Sequence, residues 1–275
     1  MGSGSRGGSR RVSRRAQRRR LGWGVVVTCA VVGVVVAGLV GAIRHFAAGQ
    51  RVVEAPVPSV SPLPVALPVR SGSPDTEVTA SLPDDAWVEF AASATGVSAR
   101  AVRAYAGAAL FMAKDNPECA IPWTLLAGVG RVESFHGQIN GSEVRADGLV
   151  TPQVIGIALD GNGVAAIRDS DGGALDGDVV WDRAVGPMQF IPQTWEQFGV
   201  DATGSGGADP HHIDDAALTA AQYLCDRAGG PVVEEDRWRQ AILAYNNSVQ
   251  YVRDVTTFAN RYALAVGQAT TLDQG

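Results

Sequence analysis

One uninterrupted apolar run stands near the start of the chain, and apolar residues recur at helical spacing beyond residue 84. The run covers residues 21–43, which are 23 consecutive positions without a charge. A helix rises about 1.5 Å per residue, so this length spans the roughly 30 Å hydrocarbon core of a bilayer. The run therefore predicts a transmembrane helix. A cleaved signal peptide is the alternative, although its apolar region is usually only about 7–15 residues long.

Helix signals in residues 84–268 predict a mainly α domain. Asp84 and Asp85 predict the start of a first helix, and Ser98 is a candidate N-cap for the second. Pro122 is compatible with the first turn of a third helix. The predicted helices cover residues 84–94, 99–114, 122–134, 192–198, 214–228, 237–246 and 249–265. The Gly- and Asp-rich residues 137–182 predict loops with a small β-hairpin near 150–157.

The stretch between the apolar run and this domain is rich in proline. Residues 52–83 hold seven of the fourteen prolines and cannot build a core. About 30 residues of extended chain at about 3.1 Å each reach roughly 90–100 Å. We therefore expect a linker over residues 44–83 and a short tail over residues 269–275.

Charge is divided unevenly between the two ends. Residues 1–20 carry eight arginines and no acid, whereas residues 84–275 carry 25 acidic and 12 basic residues. Arginines before an apolar span are held on the cytoplasmic side, so the domain is expected outside the cell membrane on a single-pass anchor. So acidic a domain repels phosphate backbones, which argues against nucleic acid as a partner.

Two cysteines, Cys119 and Cys225, lie beyond the apolar run. An even pair in an oxidising compartment indicates one disulfide, worth about 4–5 kcal/mol in the chain-entropy model. Two buried free thiols are the alternative.

Glu133 falls on the apolar face of the third predicted helix. A carboxylate there is either paired or driven toward its neutral form. A neutral carboxylic acid can protonate a leaving oxygen. The alternative is a buried glutamate paired with Arg131 or Arg183, without chemistry. The apolar residues of the same face are Leu125, Leu126, Val129 and Val132.

Four short motifs follow one another between residues 117 and 265. They are GRVESFHG at 130–137, AVGPMQFIP at 184–192, DPHHIDDAALTAAQYL at 209–224 and AYN at 244–246. In this order they resemble the motifs of the lytic murein transglycosylases, and in particular those of the membrane-bound lytic transglycosylase B group. The resemblance implies a lysozyme-like α-domain with a glycan groove between two lobes.

The resemblance also implies a reaction on peptidoglycan glycan strands. The β-1,4 bond between N-acetylmuramic acid and N-acetylglucosamine is cleaved without water, leaving a 1,6-anhydromuramyl end. Glu133 would first protonate the leaving oxygen and then accept the proton of the sugar's own C6 hydroxyl. The substrate's N-acetyl group can replace a second carboxylate.

The same resemblance implies a set of substrate-binding residues. Gln189 would hydrogen-bond the acetamido group or ring substituents of the sugar, with a capping contact before the 192–198 helix as the alternative. Tyr245 and Asn246 would position Glu133 or the sugar, with a core aromatic as the alternative for Tyr245. Ser134 would bond the carboxylate of Glu133. Gly186 would permit close backbone approach, and the full substrate-binding set is Ser134, Gly186, Gln189, Phe190, Tyr245 and Asn246.

Two acidic stretches depart from the family pattern, and no cofactor is predicted from either. The first, residues 167–181, carries Asp169, Asp171, Asp176 and Asp178. Its spacing does not fit an EF-hand, so a solvated acidic loop is expected. The second, residues 201–209, offers side-chain oxygens at alternate positions, but only two of them belong to carboxylates. We expect no metal there, and a bound Ca²⁺ is the alternative. Its candidate ligands are Asp201, Thr203, Ser205 and Asp209.

Two competing functions remain open. A hydrolytic muramidase needs a second carboxylate to activate water, and Glu143, Asp147 and Asp182 are the candidates. A catalytically silent glycan-binding or scaffold module of the cell-wall machinery needs none.

Overall fold

The computed structural model describes residues 58–59, 67–71 and 78–272, with side chains described as far as residue 267. Within them the chain forms seven α-helices and four short strands, which confirms the predicted mainly α domain. The helices are α1 (Asp85–Thr95), α2 (Ala99–Asp115), α3 (Trp123–Ser134), α4 (Pro192–Phe198), α5 (Ile213–Ala228), α6 (Glu235–Tyr245) and α7 (Val249–Leu272).

Short polar side chains set the starts of the first two helices, as the sequence predicts. The side chain of Asp84 accepts a hydrogen bond from the backbone N–H of Trp87, and Ser98 accepts one from Ala101. These bonds satisfy donors that the first turn of a helix leaves unpaired. Pro122 is the residue before α3 rather than part of its first turn.

Helix α3 lies at the centre of the domain and packs most extensively against α7. Gly128 makes this approach close, because a Cβ atom at that position would lie 2.7 Å from the backbone oxygen of Val255. Helix α2 packs against α5, where Arg100 and Asp214 form a two-pronged ion pair. The two helix pairs share one continuous core.

The region between α3 and α4 contains two small sheets rather than one hairpin. Strand β1 (Glu143–Val144) pairs antiparallel with β2 (Val150–Thr151). Strand β3 (Ile155–Ala158) pairs antiparallel with β4 (Arg183–Val185). Residues 159–182, which include the acidic loop, form the long connection between the two strands of the second sheet.

Cys119 and Cys225 form the predicted disulfide, with their Cα atoms 5.5 Å apart. The bond joins the segment before α3 to the last turn of α5 across a sequence separation of 106 residues. It therefore ties the two helix pairs together at one end.

The segment just before α1, which the sequence assigns to the linker, packs on the domain. Residues Thr79–Ser81 form a 3₁₀-helix, and the backbone oxygen of Thr79 lies where a Cβ atom on Gly107 of α2 would be. Val69 and Pro83 form an isolated β-bridge. Among the described residues no helix has the length and apolar character to cross a membrane. The anchor predicted over residues 21–43 lies outside the described residues.

Candidate functional site

Glu133 lies in the last turn of α3 with only 9% of its surface exposed. Its Oε1 accepts a 2.5 Å hydrogen bond from the phenol of Tyr251 in α7. Burial raises the pKa of Glu133 from 4.5 to about 8, and the bond from Tyr251 opposes part of that rise. The carboxyl is therefore mostly protonated at neutral pH.

Neither arginine proposed as a neutralising partner pairs with Glu133. The guanidinium of Arg131 lies over the rings of Phe135 and Phe258, at 4.1 and 5.0 Å from their centroids. Arg183 forms an ion pair with Asp178 at 2.9 Å. In the part of the chain that the structure describes, no cation pairs with Glu133, so only the hydrogen bond from Tyr251 opposes the effect of burial on its pKa.

Tyr251 connects Glu133 to the Ala-Tyr-Asn motif. The ring of Tyr251 stacks on that of Tyr245, with centroids 6.4 Å apart and planes 6° from parallel. The Tyr245 hydroxyl donates a 2.7 Å hydrogen bond to the backbone oxygen of Met188. The structure thus brings the predicted residues Glu133 and Tyr245 together through a tyrosine that sequence reasoning missed.

Gly186 and Gln189 shape the turn that carries Met188. Gly186 adopts φ of 75°, and a Cβ atom there would lie 1.8 Å from the backbone oxygen of Pro210, so only glycine fits. Close backbone approach is thus present at Gly186, although its partner is protein backbone.

Gln189 also has a positive φ, of 50°, and only 6% of its surface is exposed. Its amide nitrogen donates to the backbone oxygen of Gly186 at 2.9 Å and to that of Val154 at 3.4 Å. Its Oε1 accepts no hydrogen bond from the described residues. The amide is therefore fixed by its nitrogen, which leaves the oxygen available to a donor on a ligand.

Three other predicted binding residues are almost fully buried. Ser134 donates a 2.6 Å hydrogen bond to the backbone oxygen of Pro187 and accepts one from the backbone N–H of Gly137. Its single proton is thus used on the turn and not on Glu133, contrary to the predicted bond. The ring of Phe190 packs against those of Trp195 and Tyr245, with centroids 5.5 and 5.6 Å apart and planes tilted by 58°. Asn246 is 4% exposed and follows α6 as its C-cap.

Two of the three carboxylates proposed to activate water have other partners, and the third is exposed. Glu143 is exposed in β1, and Asp147 pairs with Arg145 at 2.8 Å. Asp182 is buried and accepts hydrogen bonds from the backbone N–H and the hydroxyl of Ser170. None of the three has a hydrogen bond to Glu133.

The acidic loop gathers three carboxylates. Asp169, Asp171 and Asp182 each place one oxygen within 4.8 Å of the others. These oxygens also accept backbone and hydroxyl hydrogen bonds within the loop, from Ser170 and Gly173 among others. The expectation of a loop without metal stays a prediction.

The second acidic stretch closes around Asp201. Its carboxylate accepts hydrogen bonds from the backbone N–H groups of residues 203–206 and from the Thr203 hydroxyl. These donors hold the pKa of Asp201 well below its ordinary value. The oxygens of Ser205 and Asp209 form local contacts of their own. The Ca²⁺ alternative here also stays a prediction.

A buried histidine three positions after Glu133 was not anticipated. The two ring nitrogens of His136 lie 3.2 and 3.0 Å from the hydroxyls of Tyr105 and Tyr262. Burial lowers the pKa of His136 to about 3, with the charge of Arg131 adding to the effect, so the ring is neutral. One nitrogen accepts and the other donates. The network fixes the chain just after α3 between α2 and α7.

Comparison with known protein families agrees with this arrangement in part. Residues 173–235 match the family model described as Transglycosylase SLT domain. The matched segment includes Gly186, Gln189 and helix α5, while Glu133 and Tyr251 lie outside it. The match supports a lysozyme-like lytic transglycosylase family and peptidoglycan as the class of substrate, without distinguishing the B group. No curated protein and no solved structure matches the chain.

Proposed function

We propose that the chain is a peptidoglycan lytic transglycosylase in which Glu133 acts first as acid and then as base. It cleaves the β-1,4 bond between N-acetylmuramic acid and N-acetylglucosamine and leaves a 1,6-anhydromuramyl end. The SLT-domain match supports this general class of activity. The observation that carries the finer proposal is the carboxyl of Glu133, buried without a cation and with a pKa of about 8.

In the first step Glu133 gives its proton to the glycosidic oxygen as the bond from that oxygen to C1 breaks. The N-acetylglucosamine side leaves as an alcohol. The substrate's acetamido group stabilises the positive charge at C1. The new carboxylate is stabilised by the phenol of Tyr251, which already donates to Oε1.

In the second step the Glu133 carboxylate takes the proton of the C6 hydroxyl while that oxygen bonds to C1. The acid is regenerated and no water is consumed. A second carboxylate is not required, because the substrate's own acetamido group takes its place.

Gln189 and Tyr245 support the sugar side of the reaction in this proposal. The Oε1 atom of Gln189 would accept the acetamido N–H, because the amide nitrogen is already held by Gly186. Tyr245 holds the Met188 backbone and stacks on Tyr251, so it positions the donor to Glu133. Asn246, next to Tyr245 in the chain, would help to position Glu133 or the sugar.

We further propose that residues 1–83 hold the enzyme at its substrate. The apolar run over residues 21–43 would anchor the chain, and the proline-rich stretch would extend from the membrane toward the wall. The catalytic domain would then lie outside the cytoplasm, where glycan strands are found.

Digestion of purified sacculi tests the reaction. Wild-type protein and Glu143→Gln, which changes an exposed carboxyl, should both release muropeptides with anhydromuramyl ends. Glu133→Gln should release none while keeping its circular dichroism spectrum. Reducing muramic ends, heavier by one water molecule, would show a hydrolase instead. Sacculus binding by wild type without release of any muropeptide would show a scaffold.

A further inference from the structure

A pocket opens on the face of α3 that points away from Glu133. Arg131 precedes Glu133 by two positions, which is about 200° around a helix. The pocket has a volume of about 310 Å³, at the lower end of small-ligand sites. The α1–α2 turn, the end of α3 and helix α7 border it, and its lining includes Arg131, Phe135, Gln138, Phe258, Arg261 and Tyr262.

We infer that this pocket binds the free carboxylate of a short peptide, and that in the wall this ligand is a peptide stem attached to the glycan. The identification of the peptide as a stem rests on the proposed function. The capture of a carboxylate by this pocket rests on its own charge and geometry.

The charge of the pocket is opposite to that of the domain around it. Residues 84–275 carry 25 acidic and 12 basic residues, yet the pocket walls contain two arginines and no acid. In the described part of the chain neither Arg131 nor Arg261 has a carboxylate partner. Burial raises the pKa of Tyr262, and the positive charges of Arg131 and Arg261 both oppose that rise. Both arginines therefore act electrostatically on the same side of the pocket.

The guanidinium N–H groups of Arg131 are available to a ligand. The central carbon of its guanidinium lies 4.1 Å from the ring centroid of Phe135 and 5.0 Å from that of Phe258, so the cation contacts two aromatic rings. Among the described residues, no acceptor bonds its N–H groups. A planar guanidinium with free edges matches a carboxylate through two parallel hydrogen bonds.

Phe135 is placed at the pocket in a conformation that is unfavourable for its type. Its φ is 54°, in the left-handed region at the end of α3 where glycine is usual, and 47% of its surface is exposed. An exposed aromatic ring in a disfavoured backbone conformation points to a use beyond folding. The ring supplies an apolar wall next to the cation, which a peptide side chain can contact, and Gln138 adds an amide at the rim.

A phosphate group on another wall polymer is also an anion, and the experiment separates the two sources. The full-length protein is titrated calorimetrically with N-acetyl-D-alanyl-D-alanine, with its C-terminal amide and with inorganic phosphate, at one salt concentration. We expect the acid to bind at least about tenfold more tightly than the amide and than phosphate. Equal binding of acid and amide, or preference for phosphate, overturns the inference.

Substitutions locate the site. Arg261→Gln changes an exposed side chain, and it should weaken binding of the acid by about tenfold. Arg239→Gln, on the exposed face of α6, removes the same charge elsewhere and should leave binding unchanged. Equal losses in the two variants would mean a general charge effect and would overturn the site.

The same titration distinguishes failure of this inference from failure of the proposed reaction. Glu133→Gln should bind the acid as wild type does, because Glu133 lies on the other side of α3. Carboxylate binding that Arg261→Gln removes supports the pocket even if wild-type protein yields no anhydromuramyl ends. Anhydromuramyl ends without any peptide binding support the reaction and overturn the pocket.

Discussion

At the scale of single residues, the carboxyl of Glu133 is governed by two opposing effects. Removal from water favours the neutral acid, and the phenol of Tyr251 favours the anion. Removal from water is the larger effect, so the group is an acid at neutral pH. The smaller effect matters for the second half of the reaction, when the anion must persist long enough to take a proton from the sugar.

Tyr251→Phe separates the two effects. Without the phenol, the pKa of Glu133 should rise above about 8, and the new carboxylate should be less stable. Because the acid must be protonated to act, kcat/KM falls as pH rises through that pKa. We expect this alkaline limb to move to higher pH and kcat to fall about tenfold, for a lost bond of about 1.5 kcal/mol.

The matched control for Tyr251→Phe is Tyr262→Phe. It removes a phenol bonded to His136 and not to Glu133. Its alkaline limb should stay at the wild-type position. A limb that is unchanged in Tyr251→Phe, or that moves to lower pH, contradicts the assigned role of this bond.

Glu133→Gln should stabilise the protein in a pH-dependent way. The folded-state pKa of Glu133, about 8, lies above its ordinary value of 4.5, so the folded state binds the proton more tightly. Wild-type stability should then fall as pH rises from 4.5 to 8. We expect the melting temperature of Glu133→Gln to exceed that of wild type at pH 8, for a gain in unfolding free energy on the order of 4 kcal/mol at about 1.4 kcal/mol per pKa unit.

That gain should shrink toward pH 4, where wild type is protonated in both states. Thermal melts between pH 4 and pH 8 measure it, with Glu143→Gln on the exposed strand β1 as the control. A difference between Glu133→Gln and wild type that does not change with pH would count against a buried neutral acid.

At the scale of elements, the packing of α3 on α7 sets the distance between Glu133 and Tyr251. Gly128→Ala tests this, since the added Cβ would lie 2.7 Å from the Val255 backbone oxygen. The gain in helix propensity, up to about 1 kcal/mol, is outweighed by overpacking of about 1–3 kcal/mol. We expect lower stability and a larger proportional loss of kcat, because α7 must shift and carries Tyr251 with it.

Gly207→Ala is the control for this substitution. A Cβ atom at Gly207 meets nothing within 4 Å, so both stability and kcat should stay close to wild type. Wild-type activity in Gly128→Ala would show that the approach of α3 to α7 does not position the carboxyl.

The disulfide acts on the stability of the same helix framework. Replacing Cys119 and Cys225 by serine opens a loop of 106 residues, and we expect a loss of about 2–5 kcal/mol in the free energy of unfolding. Denaturant titration measures it, and a reducing agent should affect wild type and not the double variant. Equal midpoints for wild type with and without reductant would contradict a stabilising role.

At the scale of the whole molecule, the sequence predicts features that depend on local spacing. Ser98 caps the helix that it was expected to cap, the first helix begins at the expected aspartates, and Glu133 is buried because it falls on an apolar helical face. The pairing of Cys119 with Cys225 follows from their number and compartment. The caps and the burial depend on residues a few positions away, and two cysteines can form only one disulfide with each other.

What the sequence misses depends on contacts between distant elements. Tyr251 reaches Glu133 across 118 positions, and no local pattern marks it among the tyrosines of the chain. Ser134 turns to Pro187 instead of Glu133 because the chain leaves the helix in the left-handed region just after it. Arg131 was a candidate partner for Glu133 by proximity in sequence, yet helical geometry directs it to the opposite face.

The titration of Glu133 itself tests the central claim most directly. Protein labelled with ¹³C at glutamate carboxyls is followed by NMR from pH 4 to pH 10, and Glu133→Gln identifies the resonance by its loss. We expect a midpoint near 8, because burial outweighs the hydrogen bond from Tyr251. A midpoint near the ordinary value of 4.5 would mean that Glu133 is an anion at neutral pH and cannot be the acid.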